Sequence, residues 1–493
     1  MKLITKNLLK YGYFPEVLPQ DLFNTKLLLK NYSFVKNKKE NENSTPLMLI
    51  SSSKNDTERR FLGLPHIETY IDLCKKIELN KEKILFKINN NENSQSKKIA
   101  PFNHSKYYSK SDFNKNKLEK IRYSMGYKYL LYIDISQFYE NIYTHSITWA
   151  LLGKKKAKAE YNKKTKEQSE EYKEADNLDI KLRAINNKET KGIPTGPLSS
   201  RVISELILAE VDSILRKEGF IFKRFVDDFS FYFRSKEEAQ ISINKIQKIL
   251  YEFKLHINHQ KLKIEKYPYS LSKNLKVELK ETYKKGEYIN FLENINVLFS
   301  NGAKGAYKYA LKMISRDIIP TNEIEEVVSM LLNIMLINPK LSYLVIKILN
   351  KNKVNINFIK NYKKTLNLLI MDNIKLNNEE ELIWLIYFAI NFELKIEENN
   401  IIEILKSGLS FSIIIILDYI HLNKRFTENI KKEKEILREN LKKESIYGEK
   451  WLLLYEANFH DWIQGLKDHI NKSKFLEKLH KNKINFYKSL DNK

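Results

Sequence analysis

At 493 residues the chain is too long for one ordinary core, so two or three domains are expected, and its 42 % apolar and 12 % aromatic content excludes a disordered polypeptide. A net charge of +25 fits a polyanionic partner, either nucleic acid or an anionic membrane surface, although richness in Lys, Asn and Ile with little Arg is also what AT-rich coding produces. The single cysteine, Cys74, excludes a disulfide framework or a cysteine zinc site within the chain and suits a cytoplasmic home. The opening residues from Met1 lack the apolar core of a signal peptide, and the longest aliphatic run, Ile413 to Leu417, is far short of a membrane span.

Residues 1–120 mix helical patterns with polar gaps. The gaps Asn37–Thr45 and Asn89–Lys98 read as solvated loops or insertions. Between them lies Glu58-Arg59-Arg60-Phe61-Leu62-Gly63-Leu64-Pro65-His66, followed by a helical pattern from Ile67 to Ile77. Tyr129 to Ile135 predicts a buried strand that carries Asp134 near its end, and a helix is expected from about Phe138 to Leu152. The charge-rich stretch 153–190 reads as a solvated helix or an insertion. Gly192-Ile193-Pro194-Thr195-Gly196-Pro197 is a turn that cannot be helical, and Leu198 to Arg216 then repeats apolar residues every 3.6 positions. Two aromatic, β-branched runs flank Asp227-Asp228 and predict a hairpin. An amphipathic helix follows from Glu237 to Phe253, and a strand is expected within Leu255–Ile264. From residue 303 onward helix-length apolar blocks alternate with polar breaks such as Asn338-Pro339-Lys340 and Asn377-Asn378. Helix pairs recur roughly every 35–45 residues, the period of helical-repeat arrays, with a plain helical bundle as the other reading.

Adjacent carboxylates at a turn between apolar strands repel each other, and the repulsion grows as the local dielectric falls. A lone Asp-Asp is more often an ordinary turn, so its meaning lies in the elements around it. Here a strand carrying Asp134, a Gly-Pro turn feeding a helix, and the Asp227-Asp228 hairpin occur in order. Metal-assisted nucleotidyl transfer needs carboxylates from separate strands to hold two divalent ions about 3.5–4 Å apart. Mg²⁺ takes few carboxylates and completes its shell with water and phosphate oxygens. Asp134, Asp227 and the main-chain carbonyl of Ile135 could supply such a set, and Asp228 would then be a weaker ligand.

These segments resemble the palm of a reverse transcriptase. Asp134-Ile135-Ser136-Gln137-Phe138-Tyr139 is similar to motif A, and Gly192 to Ser200 to motif B. Phe225-Val226-Asp227-Asp228 is similar to motif C, with Phe and Val where many members carry Tyr and Ala, and Leu255 to Lys261 is similar to motif D. The resemblance implies an α+β fold with right-hand fingers (1–120) and palm (121–302), followed by an all-α helical-repeat domain (303–493) in place of a thumb. It implies catalytic Asp134, Asp227 and Asp228, with Lys261 protonating the leaving pyrophosphate and two Mg²⁺ ions, or Mn²⁺, as cofactors. Phe138 takes the place of the steric gate that favours deoxynucleotides. Pro194, Thr195, Gly196 and Gln137 would wall the nucleotide pocket, with Ser199 beside them. Arg59 and Arg60 fall where the fingers hold a triphosphate, a suitable task for a forked guanidinium or otherwise a solvated pair. Arg201 and Arg224 lie beside the motifs and either touch phosphate or pair with a nearby acid.

Phe138 to Leu151, together with Asn7-Leu8-Leu9-Lys10-Tyr11-Gly12-Tyr13-Phe14-Pro15-Glu16, resembles the bacterial defence-associated reverse transcriptases, including the abortive-infection enzymes of the AbiK type. That resemblance covers residues 1–300 by motif and 303–493 only by architecture. It implies antiphage DNA synthesis from deoxynucleoside triphosphates, primed by a protein tyrosine and independent of a template. The single-stranded DNA product would stay attached, the assembly would be a trimer or hexamer, and a non-coding RNA would be a further partner. The chain has 29 tyrosines, and nothing in the sequence selects one as primer. The alternatives are a templated RNA-directed DNA polymerase of retron or intron type, and an inactive palm carrying a helical binding scaffold.

Overall fold

The computed structural model describes residues 4–40, 42–54, 58–97, 110–269, 275–303, 305–424 and 427–490. Among these residues the architecture is mixed and mostly helical, with two antiparallel sheets. A hairpin pairs β1 (Met48–Ser53) with β2 (Arg59–Leu64). The main sheet joins β3 (Tyr129–Asp134), β4 (Phe222–Phe225), β5 (Asp228–Phe233) and β6 (Lys263–Lys266) in the order β4-β5-β3-β6.

Side chains alternate across a strand, so register decides what shares a face. Leu131 and Ile133 of β3 lie with Phe229, Phe231 and Phe233 of β5 in the main core, against the Lys236–Glu252 helix, which in turn packs on Leu198–Lys217. Leu130, Tyr132 and Asp134 point the other way and face Tyr232, Ser230 and Asp228 across the ladder. The Tyr232 end of that face is covered by Tyr123, Tyr127 and Tyr269, which leaves the aspartate end as the open part of the sheet.

The Leu198–Lys217 helix is the spine of the molecule. It buries Val202, Leu206, Ile207, Val211 and Leu215 at helical spacing, and Arg216 and Lys217 complement the dipole in its last turn. The N-terminal helix Thr5–Gly12 ends against its first residue. A Cβ on Gly12 would sit 2.0 Å from the Leu198 Cβ, so only glycine allows this approach.

Several segments differ from their sequence reading. The Asn89–Lys98 gap, whose last residue lies outside the described residues, is not a solvated loop. Asn91, Asn93, Ser94 and Ser96 are buried, and the segment runs along β4 through the bonds Arg224 N–H to Asn93 O and Gln95 N–H to Arg224 O. In the other gap Lys38 is buried in an ion pair with Asp72 at 2.8 Å, and Thr45 is buried beside Thr69. The helix expected over 138–152 is split into Phe138–Asn141 and Ser146–Leu152, because Ile142 turns extended and Tyr143 bridges to Lys191. The charged stretch holds Glu170–Ala184, a helix that buries Ala175, Leu178 and Leu182 against Ile67–Leu79 and Ser146–Leu152. Of the strand expected within Leu255–Ile264, only the bridge Ile257–Ile135 and the start of β6 form. A 3₁₀ turn, His259–Lys261, separates them.

After Lys266 every described element is helical. These helices return to the N-terminal half. Trp384 Nε1 donates to Val17 O at 2.8 Å, and Tyr387 bonds Asp21. Phe23 packs on Phe411 and Tyr487, and Lys488 N–H donates to Leu22 O. Ser52 donates to Glu380 at 2.5 Å, and Ser473 bonds Glu68. One apolar core therefore runs from Leu8 to Leu490. A fragment ending at residue 302 would expose Phe23, Val17 and β1 at once. It is expected to lose cooperative thermal unfolding, seen by circular dichroism, whereas a sharp transition at the temperature of the full chain would contradict the continuous core.

Candidate active site

Asp134 ends β3 directly opposite Asp228, the first residue of β5, and Asp227 lies in the turn before it. The pairing Phe225–Asp228 leaves Val226 and Asp227 as a two-residue hairpin loop. Val226 has φ +60°, a left-handed conformation that a β-branched residue adopts at a cost of roughly 1–2 kcal/mol and for which such turns normally use glycine. Its surroundings enforce it. Val226 N–H donates to Ser96 Oγ at 2.8 Å, and Val226 O accepts from Arg224 Nη1 at 2.6 Å. The Asp227 carbonyl accepts from Ile135 N–H at 3.3 Å, which ties the turn to the end of β3.

Arg224 is fully buried and also bonds Asp212 (2.8 Å) and Glu205 (3.1 Å), both on the Leu198–Lys217 helix. Burial alone would raise the Glu205 pKa, but Arg224 and Arg201 reverse that and hold it at about 2. Ser94 and Ser96 donate to the two Glu205 oxygens at 3.0 and 2.8 Å, and Asn91 donates to Asp212 at 2.6 Å. Of the two readings left open for Arg224, pairing with acids is the one the structure adopts. Arg201 likewise pairs with Glu205 at 3.0 Å.

The three aspartates crowd each other. Burial first, then the fields of Asp227 and Asp134 and a hydrogen bond to Asp134, push Asp228 up to about 6. Its side chain is nevertheless exposed, so repulsion from its neighbours is the firmer of these causes. Asp227 is also raised, by burial and by Asp134, against the pull of Lys261 and Arg201. Lys261 Nζ stands 3.1 Å from Asp134 Oδ2, and this bond raises the lysine pKa. Asn258 holds the same aspartate twice, Nδ2 to Oδ2 at 3.0 Å and N–H to O at 2.8 Å. Lys120 approaches from the covered side, 3.4 Å from Ser230 Oγ.

The remaining predicted residues fall in three places. Ile135 is buried, with its N–H on Asp227. Gln137 is exposed with φ +44° and caps the helix that Phe138 begins. Pro194 is buried, Thr195 O accepts from Gly63 N–H at 2.9 Å, and Gly196 is exposed with φ +125°, so the turn is seated on β2. Arg59 is engaged elsewhere: its guanidinium forms a bidentate pair with Glu381 at 2.9 Å and bonds Ser51, at the end of β2 away from Gly63. Arg60 is exposed on the same strand. Phe138 is only 4 % exposed and its ring packs on Tyr139 at 5.2 Å, so Tyr139 is the aromatic of this pair with free surface. Ser199 is buried with no partner for its hydroxyl among the described residues.

A crowded set of acids at strand ends, two of them with raised pKa values, fits a divalent cation better than an empty cleft. Among the described residues no group of three His, Cys, Asp or Glu side chains is arranged to hold a metal ion by itself. A hard cation held by fewer carboxylates completes its shell with water and phosphate oxygens. The sheet thus brings Asp134, Asp227, Asp228 and Lys261 together at its open end. Residues 54–291 match the reverse transcriptase (RNA-dependent DNA polymerase) family. The chain therefore contains a reverse transcriptase domain and is an enzyme of that class, whose members use divalent metal ions.

No curated protein matches the chain. Among solved structures it is distantly similar to telomerase from Candida albicans in complex with a TWJ fragment of telomeric RNA, at 11 % identity over 72 % of this chain and 67 % of that one, TM-score 0.30. Apo telomerase from Candida tropicalis gives 12 % identity over 78 % and 68 %, TM-score 0.33. Its form truncated from the C-terminal domain gives 13 % over 50 % and 55 %, TM-score 0.31. Among the described residues no helix is long and apolar enough to cross a membrane.

Asp228→Asn is expected to stabilise the cation-free protein at neutral pH by about 1 kcal/mol, a figure discounted for solvent. The folded carboxyl titrates near 6 against an ordinary 3.8, so the native state binds the extra proton and wild-type stability falls as pH rises between those values. The melting-temperature gap between variant and wild type in EDTA should be near zero at about pH 4 and reach its full size above about pH 6. A gap independent of pH would contradict the repulsion.

Proposed function

We propose that the protein is an antiphage defence reverse transcriptase that adds deoxynucleotides with two Mg²⁺ ions, Mn²⁺ substituting, and that it is primed by one of its own tyrosines without need of a template. The observation that carries the chemical part is the crowding of Asp134, Asp227 and Asp228 beside Lys261 on the open end of the sheet. Asp134, Asp227 and the Ile135 carbonyl would hold the cations, with Asp228 as the weaker ligand. When bound, the ions lower the pKa of the attacking hydroxyl and neutralise the leaving pyrophosphate.

Lys261 carries its proton beside Asp134 with 58 % of its side chain exposed, so it has room to turn towards the leaving group and protonate it. Asn258 keeps the Asp134 carboxylate in one orientation. Gln137, Pro194, Thr195 and Gly196 line the nucleotide pocket, and exposed Arg60 is better placed than Arg59 to meet phosphate. The defence role, the attached single-stranded DNA, the non-coding RNA partner, the trimer or hexamer and the cytoplasmic location come from the family resemblance. The reading of 303–493 as a helical-repeat array in place of a thumb is supported by packing. Glu379–Asn391 lies on Ser410–Leu422, which lies on Trp451–Phe459, and Glu398–Lys406 lies on Glu428–Lys443.

The test is incubation with labelled deoxynucleotides and Mg²⁺, followed by denaturation. The expected result is label that stays with the protein and is removed by DNase. Asp227→Ala should lower incorporation at least about a thousandfold, roughly 4 kcal/mol of barrier. A protein-free product complementary to a supplied RNA would favour the templated enzyme instead, and phage protection that survives Asp227→Ala would favour the scaffold.

Sugar selection is assigned to the Phe138–Tyr139 pair. Tyr139→Ala should admit ribonucleotides with little loss of stability. Phe138→Ala should admit them while costing about 3 kcal/mol, because it empties a core position. Unchanged ribonucleotide incorporation in both variants would remove the pair from this role.

A further inference from the structure

Ser96 belongs to none of the motifs around the aspartates, yet it reaches the turn that carries one of them. Its side chain is 0 % exposed. The hydroxyl accepts the Val226 N–H at 2.8 Å and donates to Glu205 Oε1 at 2.8 Å. On the other side of the same residue, Arg224 Nη1 holds the Val226 carbonyl at 2.6 Å. Val226 immediately precedes Asp227 and stands at φ +60°. A hydroxyl is suited to this place because it accepts from a peptide and donates to a carboxylate at once. Without it, the Val226 N–H is left unpaired in a strained loop. Rotation of the Phe225–Val226 peptide, which carries that N–H and resets the Val226 φ, would relieve both faults and shift the Asp227 that follows away from Asp134.

We propose that Ser96 is a positioning residue for Asp227, keeping that carboxylate aimed with Asp134 at a shared divalent cation. The inference rests on the metal-dependent reading of the site given above. Ser94 provides the control. It is 3 % exposed, donates to the other Glu205 oxygen at 3.0 Å and accepts the Ser96 N–H at 3.3 Å, but its side chain does not bond the turn.

Full-length Ser96→Ala and Ser94→Ala are compared by melting temperature, by kcat and KM for deoxynucleotide incorporation, and by Mn²⁺ binding followed through the electron paramagnetic resonance of the free ion. Each variant loses one buried hydroxyl, so both should melt a few degrees lower, by about 2–4 °C. Ser96→Ala should lower kcat and weaken Mn²⁺ binding at least about tenfold, the effect typical of a group that orients a metal ligand, with KM within about twofold. Ser94→Ala should leave kcat and Mn²⁺ binding within about twofold of wild type. Wild-type Mn²⁺ binding and turnover in Ser96→Ala, or equal losses in the two variants, would overturn the proposal. If wild type binds Mn²⁺ but incorporates nothing, and Ser96→Ala weakens that binding, the positioning role stands and the polymerase reading falls. A wild type that binds no Mn²⁺ overturns both.

Discussion

Arg224 carries a full charge with none of its surface exposed, and the centre of the molecule is organised around neutralising it. Desolvating a guanidinium is tolerable only if opposite charge and complete hydrogen bonding replace water. Two acids seven residues apart on one face of the Leu198–Lys217 helix supply the charge. The Asn91–Ser96 segment supplies the remaining hydroxyl and amide groups, and the last free donor of Arg224 goes to the Val226 carbonyl. Three parts of the chain, the long helix, the segment along β4 and the Asp227 hairpin, are thus fixed relative to one another by one network. Losing either acid would leave Arg224 with an uncompensated buried charge, at a cost of about 3–5 kcal/mol. The same network makes a left-handed valine acceptable beside an aspartate that must not wander.

The C-terminal helices impose a second constraint. The first turn of Glu379–Asn391 carries three successive buried glutamates, and burial pushes Glu379 up to about 8 and raises Glu380. Glu379 accepts the Phe411 N–H, Glu380 takes the Ser52 hydroxyl and Glu381 takes Arg59. One helix end therefore ties the neighbouring helix to both strands of the β1–β2 hairpin, whose far end is seated on the Pro194–Gly196 turn through Gly63 and Thr195. The helical region is thus part of the scaffold that holds the β1–β2 hairpin and the Pro194–Gly196 turn. It also engages Arg59, whose guanidinium bonds are directed to Ser51 and Glu381.

Much of this was legible from local pattern. The aromatic runs around Asp227-Asp228 form the hairpin they imply, the apolar spacing from Leu198 forms the long helix, and the ordered motifs lead to a reverse transcriptase domain. What was illegible is long-range and polar. Asn91, Asn93, Ser94 and Ser96 read as a solvated gap because their burial depends on Glu205, Asp212 and β4, more than a hundred residues away. Neither reading of Arg59, phosphate ligand or solvated pair, includes its ion pair with Glu381, because that partner is 322 residues distant. Phe138 takes the gate position from its spacing to Asp134, but local pattern does not show that its ring is buried while Tyr139 keeps surface, since successive side chains at a helix start turn by about 100°. Asn258 carried no signal beyond its place three residues before Lys261, and only the fold brings its amide to Asp134.

The central claim is that Asp134 and Asp227 jointly hold catalytic cations on the open end of the sheet. An anomalous-difference map from a crystal soaked with Mn²⁺ and a deoxynucleoside triphosphate tests it most directly. The account predicts Mn²⁺ peaks shared by the Asp134 and Asp227 carboxylates and the nucleotide phosphates, absent in Asp227→Asn. A nucleotide bound with no Mn²⁺ at these carboxylates, or Mn²⁺ retained unchanged in Asp227→Asn, would contradict it.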